Sequence, residues 1–142
     1  MPSITTTLPN LEGDGPVLEV HFSIPNVLES QYRKSGKPIP EPIIVKALID
    51  TGASSCVIQS DIPRKLGLQP VGATKINTPS CQDHECYQYF MRIIIKHPNN
   101  PITYEGTFTA APLKGQNIDC LLGRDLLCHG IFVYIGYIPQ FT

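Results

Sequence analysis

Fourteen prolines and eleven glycines are spread through 142 residues, and this punctuation limits what the chain can become. A proline inside a helix removes a hydrogen bond and clashes with the preceding turn, and a glycine there costs backbone entropy. Long helices and heptad seams are thereby excluded, and frequent turns between short extended segments are expected, so an all-β fold with one or two short helices is predicted. With 42% hydrophobic and 16% charged residues the chain has enough apolar surface to bury a core. At this length a folded domain has a radius of about 14 Å, so residues 1–142 are read as one domain and not two, and disorder is excluded.

Charge narrows the partner classes. Eleven Lys and Arg against twelve Asp and Glu, with the basic residues dispersed, leave no electrostatic footprint for nucleic acid or anionic lipid. No apolar run approaches the roughly 18 residues that span a membrane, and no basic segment followed by an apolar one opens the chain. Five cysteines cannot all pair internally, and a domain of this size has no need of disulfide staples. A cytoplasmic protein acting on polypeptides or small ligands is expected, with no nucleic acid, membrane or cofactor.

Along the chain, residues 1–16 are read as a flexible segment. Leu18, Val20, Phe22 and Ile24 alternate with Glu19, His21 and Ser23, the period of a strand with one wet face, and this places His21 in solvent. Residues 26–42, bounded by Pro25 and holding Pro38, Pro40 and Pro42, are read as an exposed loop. Ile43 to Ile49 is nearly continuous in apolar residues, as in a strand covered on both faces. Ser60 to Gly67 carries the cap, early proline, late basic residues and terminal glycine of a short helix. Ala73 to Thr78 and Tyr87 to Lys96 flank a polar segment, Pro79 to Cys86, and form a long hairpin. Ile102 to Ala110 is another strand, as is Ile118 to Leu122. Arg124 to His129 is a helical turn, and Ile131 to Ile138 a final strand.

The chemically informative segment is Ala47-Leu48-Ile49-Asp50-Thr51-Gly52-Ala53-Ser54, an apolar strand ending in a carboxylate and a tight turn. A carboxylate beside a core stays ionised only if donors meet it, and the amides near Gly52 are placed to do so. Asp50-Thr51-Gly52-Ala53 resembles the active-site signature of the retropepsins, the retroviral-type aspartic proteases. Cys120-Leu121-Leu122-Gly123-Arg124-Asp125 resembles the second signature of that family, two apolar residues and a glycine leading into a short helix. The Lys65-Leu66-Gly67-Leu68 helix end resembles cellular members, and the likeness extends from about Leu18 to Ile138.

This resemblance implies a closed β-barrel of the acid-protease type, one lobe per chain. It implies an aspartic endopeptidase whose catalytic residues are Asp50, Thr51 and Gly52, with Ala53, Ser54, Ser55, Leu121, Leu122 and Gly123 in contact with a polypeptide substrate. One triplet supplies one carboxylate, whereas this chemistry uses two, so a homodimer is implied, with Ile131 to Ile138 contributing to an intersubunit sheet. The hairpin 73–90 would be the flap over substrate. Two departures stand out: Ile76 to Phe90 holds no glycine, and Ser54 and Ser55 replace the acidic residues that pair in the viral enzymes with the counterpart of Arg124. The glycine-free flap motivates an alternative, a catalytically silent peptide-binding or dimerisation module.

Other clusters have weaker chemistry. Cys81, His84 and Cys86 are ligands of a kind zinc accepts, but a fourth from a second segment is not marked; a Cys81–Cys86 bridge and a plain hairpin tip are the alternatives, and no metal site is assigned. Cys128 and His129 are adjacent on a helix and point apart, so they are not nucleophile and base. Cys56 and Cys120 are read as small buried hydrophobes.

Overall fold

The computed structural model describes residues 2–78, 81–113 and 115–142, with only the backbone for 77–78 and 81–84. Its centre is a closed six-stranded β-barrel, as the all-β reading requires. The strands are β2 (Val17–Ser23), β3 (Ile43–Ile49), β4 (Val57–Gln59), β6 (Cys81–Ile95), β7 (Ile102–Ala111) and β8 (Cys120–Leu122). Their order is β2-β3-β8-β4-β7-β6, and β6 pairs back onto β2 to close the ring. Most neighbours are antiparallel, but β3 runs parallel to β8 and β4 parallel to β7.

Alternation puts the core inside the ring. Val20, Phe22, Val45, Ala47, Met91, Ile93, Phe108 and Leu122 are buried, and the Phe22 and Phe108 rings meet edge to face at 5.0 Å. Aromatic pairs favour this geometry because the positive edge of one ring meets the negative face of the other. The Ile43–Ile49 run is not covered on both faces, as its apolarity suggested: Ile44 is 58% exposed. Closure of the barrel gives each strand one inner face, and Ile44 and Lys46 lie on the outer one. His21 is likewise not in open solvent. Flanked by β3 and β6, its side chain is 13% exposed, with Nε2 3.7 Å from Glu19 Oε1.

β5 (Gly72–Thr78) stands outside the ring and pairs with β6. Whereas β6 from Gln88 onward also pairs with β7, the Cys81–Tyr87 part has, among the described residues, β5 as its partner. The two therefore project as a hairpin of about 20 Å, given roughly 3.3 Å per residue. Extended structure reaches Cys81, so the expected polar loop is shorter than 79–86. Pro79 and Ser80 lie outside the described residues, as do the side chains of Cys81 and His84, whereas Cys86 is buried.

Two segments are more ordered than the sequence indicated. Residues 26–42 are not all loop: Asn26–Ser35 form helix α2, following α1 (Leu11–Asp14). The prolines that suggested a loop flank this segment and none interrupts it, and Pro25 at the helix entrance has no donor to lose. Gly36 ends the helix at φ 70°, a left-handed conformation that avoids a side-chain penalty, and Lys37 N–H closes the turn on Tyr32 O at 2.9 Å. Leu28 and Tyr32 pack against the barrel. Arg92 of β6 fastens the helix start, donating to Ser23 Oγ at 2.9 Å, to Glu29 Oε2 at 2.9 Å and to Asn26 Oδ1.

Nor is the segment 1–16 free. β1 (Thr6–Thr7) pairs with β10 (Gln140–Phe141), which pairs with β9 (Tyr134–Ile135), and Leu11 is 2% exposed. Of the expected final strand 131–138 only β9 is extended; it turns back through 136–139 to β10, giving a three-stranded sheet with β1. The remaining helices among the described residues, α3 (Asp61–Lys65) and α4 (Arg124–Leu127), fall where expected. No helix of the described residues is long and apolar enough to cross a membrane.

The Glu29 carboxyl lies below the usual carboxylate range because Arg33, and then Arg92, donate to it. A depressed folded value contributes stability above the unfolded value near 4.5 that is lost as pH falls through the folded one. Glu29→Gln should therefore lower stability at neutral pH by roughly 1 kcal/mol, a deficit that shrinks below about pH 4. Urea unfolding of both proteins at several pH values measures this.

Candidate functional site

Parallel pairing of β3 with β8 delivers Asp50. Ala47, Leu48 and Ile49 lie against Cys120, Leu121 and Leu122, and the ladder ends with Asp50 N–H donating to Leu122 O at 3.0 Å. The chain then turns: Gly52 N–H donates to Asp50 Oδ1 at 2.8 Å, and Ala53 N–H to Asp50 O at 3.2 Å. The carboxylate is half-buried, while Thr51 and Gly52 are exposed. The expectation that an amide near Gly52 meets the carboxylate holds in this geometry.

The segment after β8 supports this turn from beneath. Arg124 N–H donates to Ala53 O at 2.9 Å, and its guanidinium Nη1 to Thr51 O at 2.8 Å. Lacking an acidic partner at Ser54 or Ser55, Arg124 thus binds a backbone carbonyl of the Asp50 turn. Gly123 is at φ −86°, which any residue adopts, so its glycine is explained by space. A Cβ there would lie 2.5 Å from the Ser55 carbonyl carbon and 2.6 Å from its oxygen. Of the residues expected to contact substrate, Ala53 and Ser55 are half-buried and Ser54 exposed. Leu121 is half-buried, whereas Leu122 and Gly123 are buried in the single chain. Their positions are occupied by core packing and backbone approach.

Cys56 is 1% exposed, as a buried hydrophobe would be, but its polar atoms are engaged. Asp125 accepts from Cys56 N–H at 3.0 Å through Oδ2 and from Cys56 Sγ at 3.1 Å through Oδ1. Gly123 N–H in turn donates to Cys56 Sγ at 3.3 Å. Burial, and next the hydrogen bond to Asp125, push the thiol up to about 12, so it stays protonated and donating. Burial also raises Cys120, which is 0% exposed. Sequence reasoning missed Asp125; its place directly after Gly123-Arg124 was the available signal. Cys128 Sγ approaches Asp125 O at 3.1 Å and the His129 ring lies 5.4 Å from Tyr104, consistent with separate structural contacts.

Two cavities, of about 310 and 460 Å³, lie elsewhere, lined by residues such as Ile62 and Asp119 and by Asp14 and Lys46 respectively; the Asp50 turn lines neither. Among the described residues no three His, Cys, Asp or Glu side chains converge as metal ligands. No protein-family model matches the chain, and no curated protein matches it.

Gly123→Ala tests the close approach beneath the turn. Because backbone, not a flexible side chain, would have to move, it should cost about 2 kcal/mol or more, measured by urea denaturation. Serine at Ser54, which is exposed, is by contrast replaceable by alanine within about 0.5 kcal/mol.

Proposed function

We propose that this chain is an aspartic endopeptidase of the retropepsin type, active as a homodimer in which two Asp50 side chains share one water. The observation that carries the reading is the Asp50 turn itself. A half-buried carboxylate at a strand end is bonded by Gly52 N–H at Oδ1, and its turn, where Thr51 and Gly52 are exposed, is braced through Thr51 O and Ala53 O by Arg124. The closed barrel, the projecting β5–β6 hairpin and the sheet of both chain ends are consistent with the resemblance stated for the sequence.

In that assembly one Asp50 is ionised and takes a proton from the shared water as its oxygen attacks the scissile carbonyl carbon. The other is held protonated by the repulsion of two adjacent negative charges and donates to the carbonyl oxygen. The tetrahedral intermediate then collapses: the C–N bond breaks as the amide nitrogen receives a proton from the dyad, releasing a carboxylic acid and an amine. Thr51 would brace the paired turns, and the hairpin would cover the peptide.

Dimerisation has its own support. Ile131 is 77% and Tyr137 88% exposed, with Val133, Tyr134 and Ile138 also open to water around the β9–β10 hairpin. So much apolar surface on one short segment marks an interaction site, and a second copy is the partner this reading supplies.

The competing reading is a catalytically silent peptide-binding or dimerisation module, motivated by the glycine-free hairpin. Purified protein incubated with unfolded polypeptides from about pH 3 to 7 separates the two. The endopeptidase reading expects cleavage that Asp50→Asn reduces by at least about 10³-fold and a statine-type analogue blocks. Identical fragment patterns from wild type and Asp50→Asn would refute it. Sedimentation should show a dimer at micromolar concentration, converted to monomer by Tyr137→Asp together with Ile131→Asp; a wild-type monomer would count against catalysis.

A further inference from the structure

Cys56 occupies the join between the Asp50 turn and β4, and its two polar groups are both held by one carboxylate. Asp125 Oδ2 takes the backbone N–H and Oδ1 the thiol, while Oδ1 also receives Leu126 N–H at 2.9 Å. The thiol additionally accepts from Gly123 N–H. A thiol has one donor and weak acceptor capacity, so its hydrogen-bonding capability is fully used here. Gripping a residue by backbone and side chain at once leaves it no freedom to rotate about χ1 or tilt its peptide. The turn 50–56 is then bonded from 122–125 at successive points, Asp50 N, Thr51 O, Ala53 O and Cys56, with the Gly123 backbone lying close against Ser55.

We propose that Asp125 is a positioning residue that acts through the Cys56 thiol to fix the Asp50 turn. The kinetic part of this proposal rests on the endopeptidase reading; the positional part does not. If Cys56 were there to fill space, valine, of similar bulk, would replace it better than serine. If it is there to join Asp125 to Gly123 N–H, serine would replace it better than valine, because a hydroxyl donates and accepts whereas valine leaves a buried N–H and a carboxylate oxygen short of partners. Packing and positioning therefore predict opposite orders.

The test compares wild type with Cys56→Ser, Cys56→Val and Asp125→Ala by residue-resolved amide hydrogen exchange. Gly52, Ala53 and Cys56 report on the turn, and Val20 and Val45 on the barrel. Cys56→Ser should keep turn protection within about 3-fold of wild type, while Cys56→Val and Asp125→Ala should lose at least about 10-fold there with the barrel amides unchanged. On a cleaved peptide, the last two should lower kcat about 10-fold or more with KM within about 2-fold, and serine should restore it. Cys56→Val matching wild type in the turn, or Cys56→Ser losing as much as valine, overturns the proposal. Should Cys56→Val not fold, the contrast between Cys56→Ser and Asp125→Ala decides by the same criterion. A wild-type chain that cleaves nothing refutes the endopeptidase reading, and exchange still decides the positional role.

Discussion

Everything at the candidate site depends on the close contact between the Gly123 backbone and Ser55. Because Gly123 carries no side chain, the segment leaving β8 lies directly beneath the Asp50 turn, where a Cβ would meet Ser55 backbone atoms at 2.5 to 2.9 Å. That proximity lets Arg124 reach Thr51 O and Ala53 O, and lets Asp125 reach Cys56. Hydrogen bonds to an ionised acceptor contribute about 1.5–3 kcal/mol when partly desolvated, so the Asp125 contacts are among the stronger ones available to a turn. Two strands that are parallel neighbours, β3 and β8, end together, and their exits are locked into one unit.

The barrel explains why those exits are rigid. β3 lies between β2 and β8, and closure through β6 leaves no free edge within the ring. Core residues from β2, β3, β6, β7 and β8 fill the interior, so the end of β3 is set by packing on one side and by the β8 ladder on the other. Precision at Asp50 is thus inherited from strand pairing, which is how a site on a turn can be held as firmly as one on a strand.

Much of this was legible in the sequence because it is local. Alternation marked β2 and β7, cap and glycine signals marked α3, and the Asp50 and Gly123 segments announced themselves by abrupt changes from apolar to turn-forming residues. What failed depended on distant partners. Residues 26–35 are flanked by prolines, and their helix is fastened by Arg92 on β6 and Glu105 on β7, which lie far along the chain. Thr6 and Thr7 lie in a β-branched run without apolar alternation, and their partners, Gln140 and Phe141, are at the far end of the chain. The outer face of Ile43–Ile49 carries an exposed isoleucine, so apolarity alone overstated its burial. Cys56 was placed correctly in the interior, but its bond to Asp125, 69 residues away, is a property of the fold.

Chemistry remains one step beyond geometry. The chain presents one braced carboxylate, and the proposed hydrolysis needs two. The most direct measurement is a crystal structure of the protein with a statine-type transition-state analogue. The account predicts one analogue bound across two chains, its hydroxyl within hydrogen-bond distance, about 2.6–3.2 Å, of both Asp50 carboxylates. Analogue bound away from Asp50, or Asp50 side chains remote from one another in every assembly of the crystal, would contradict it.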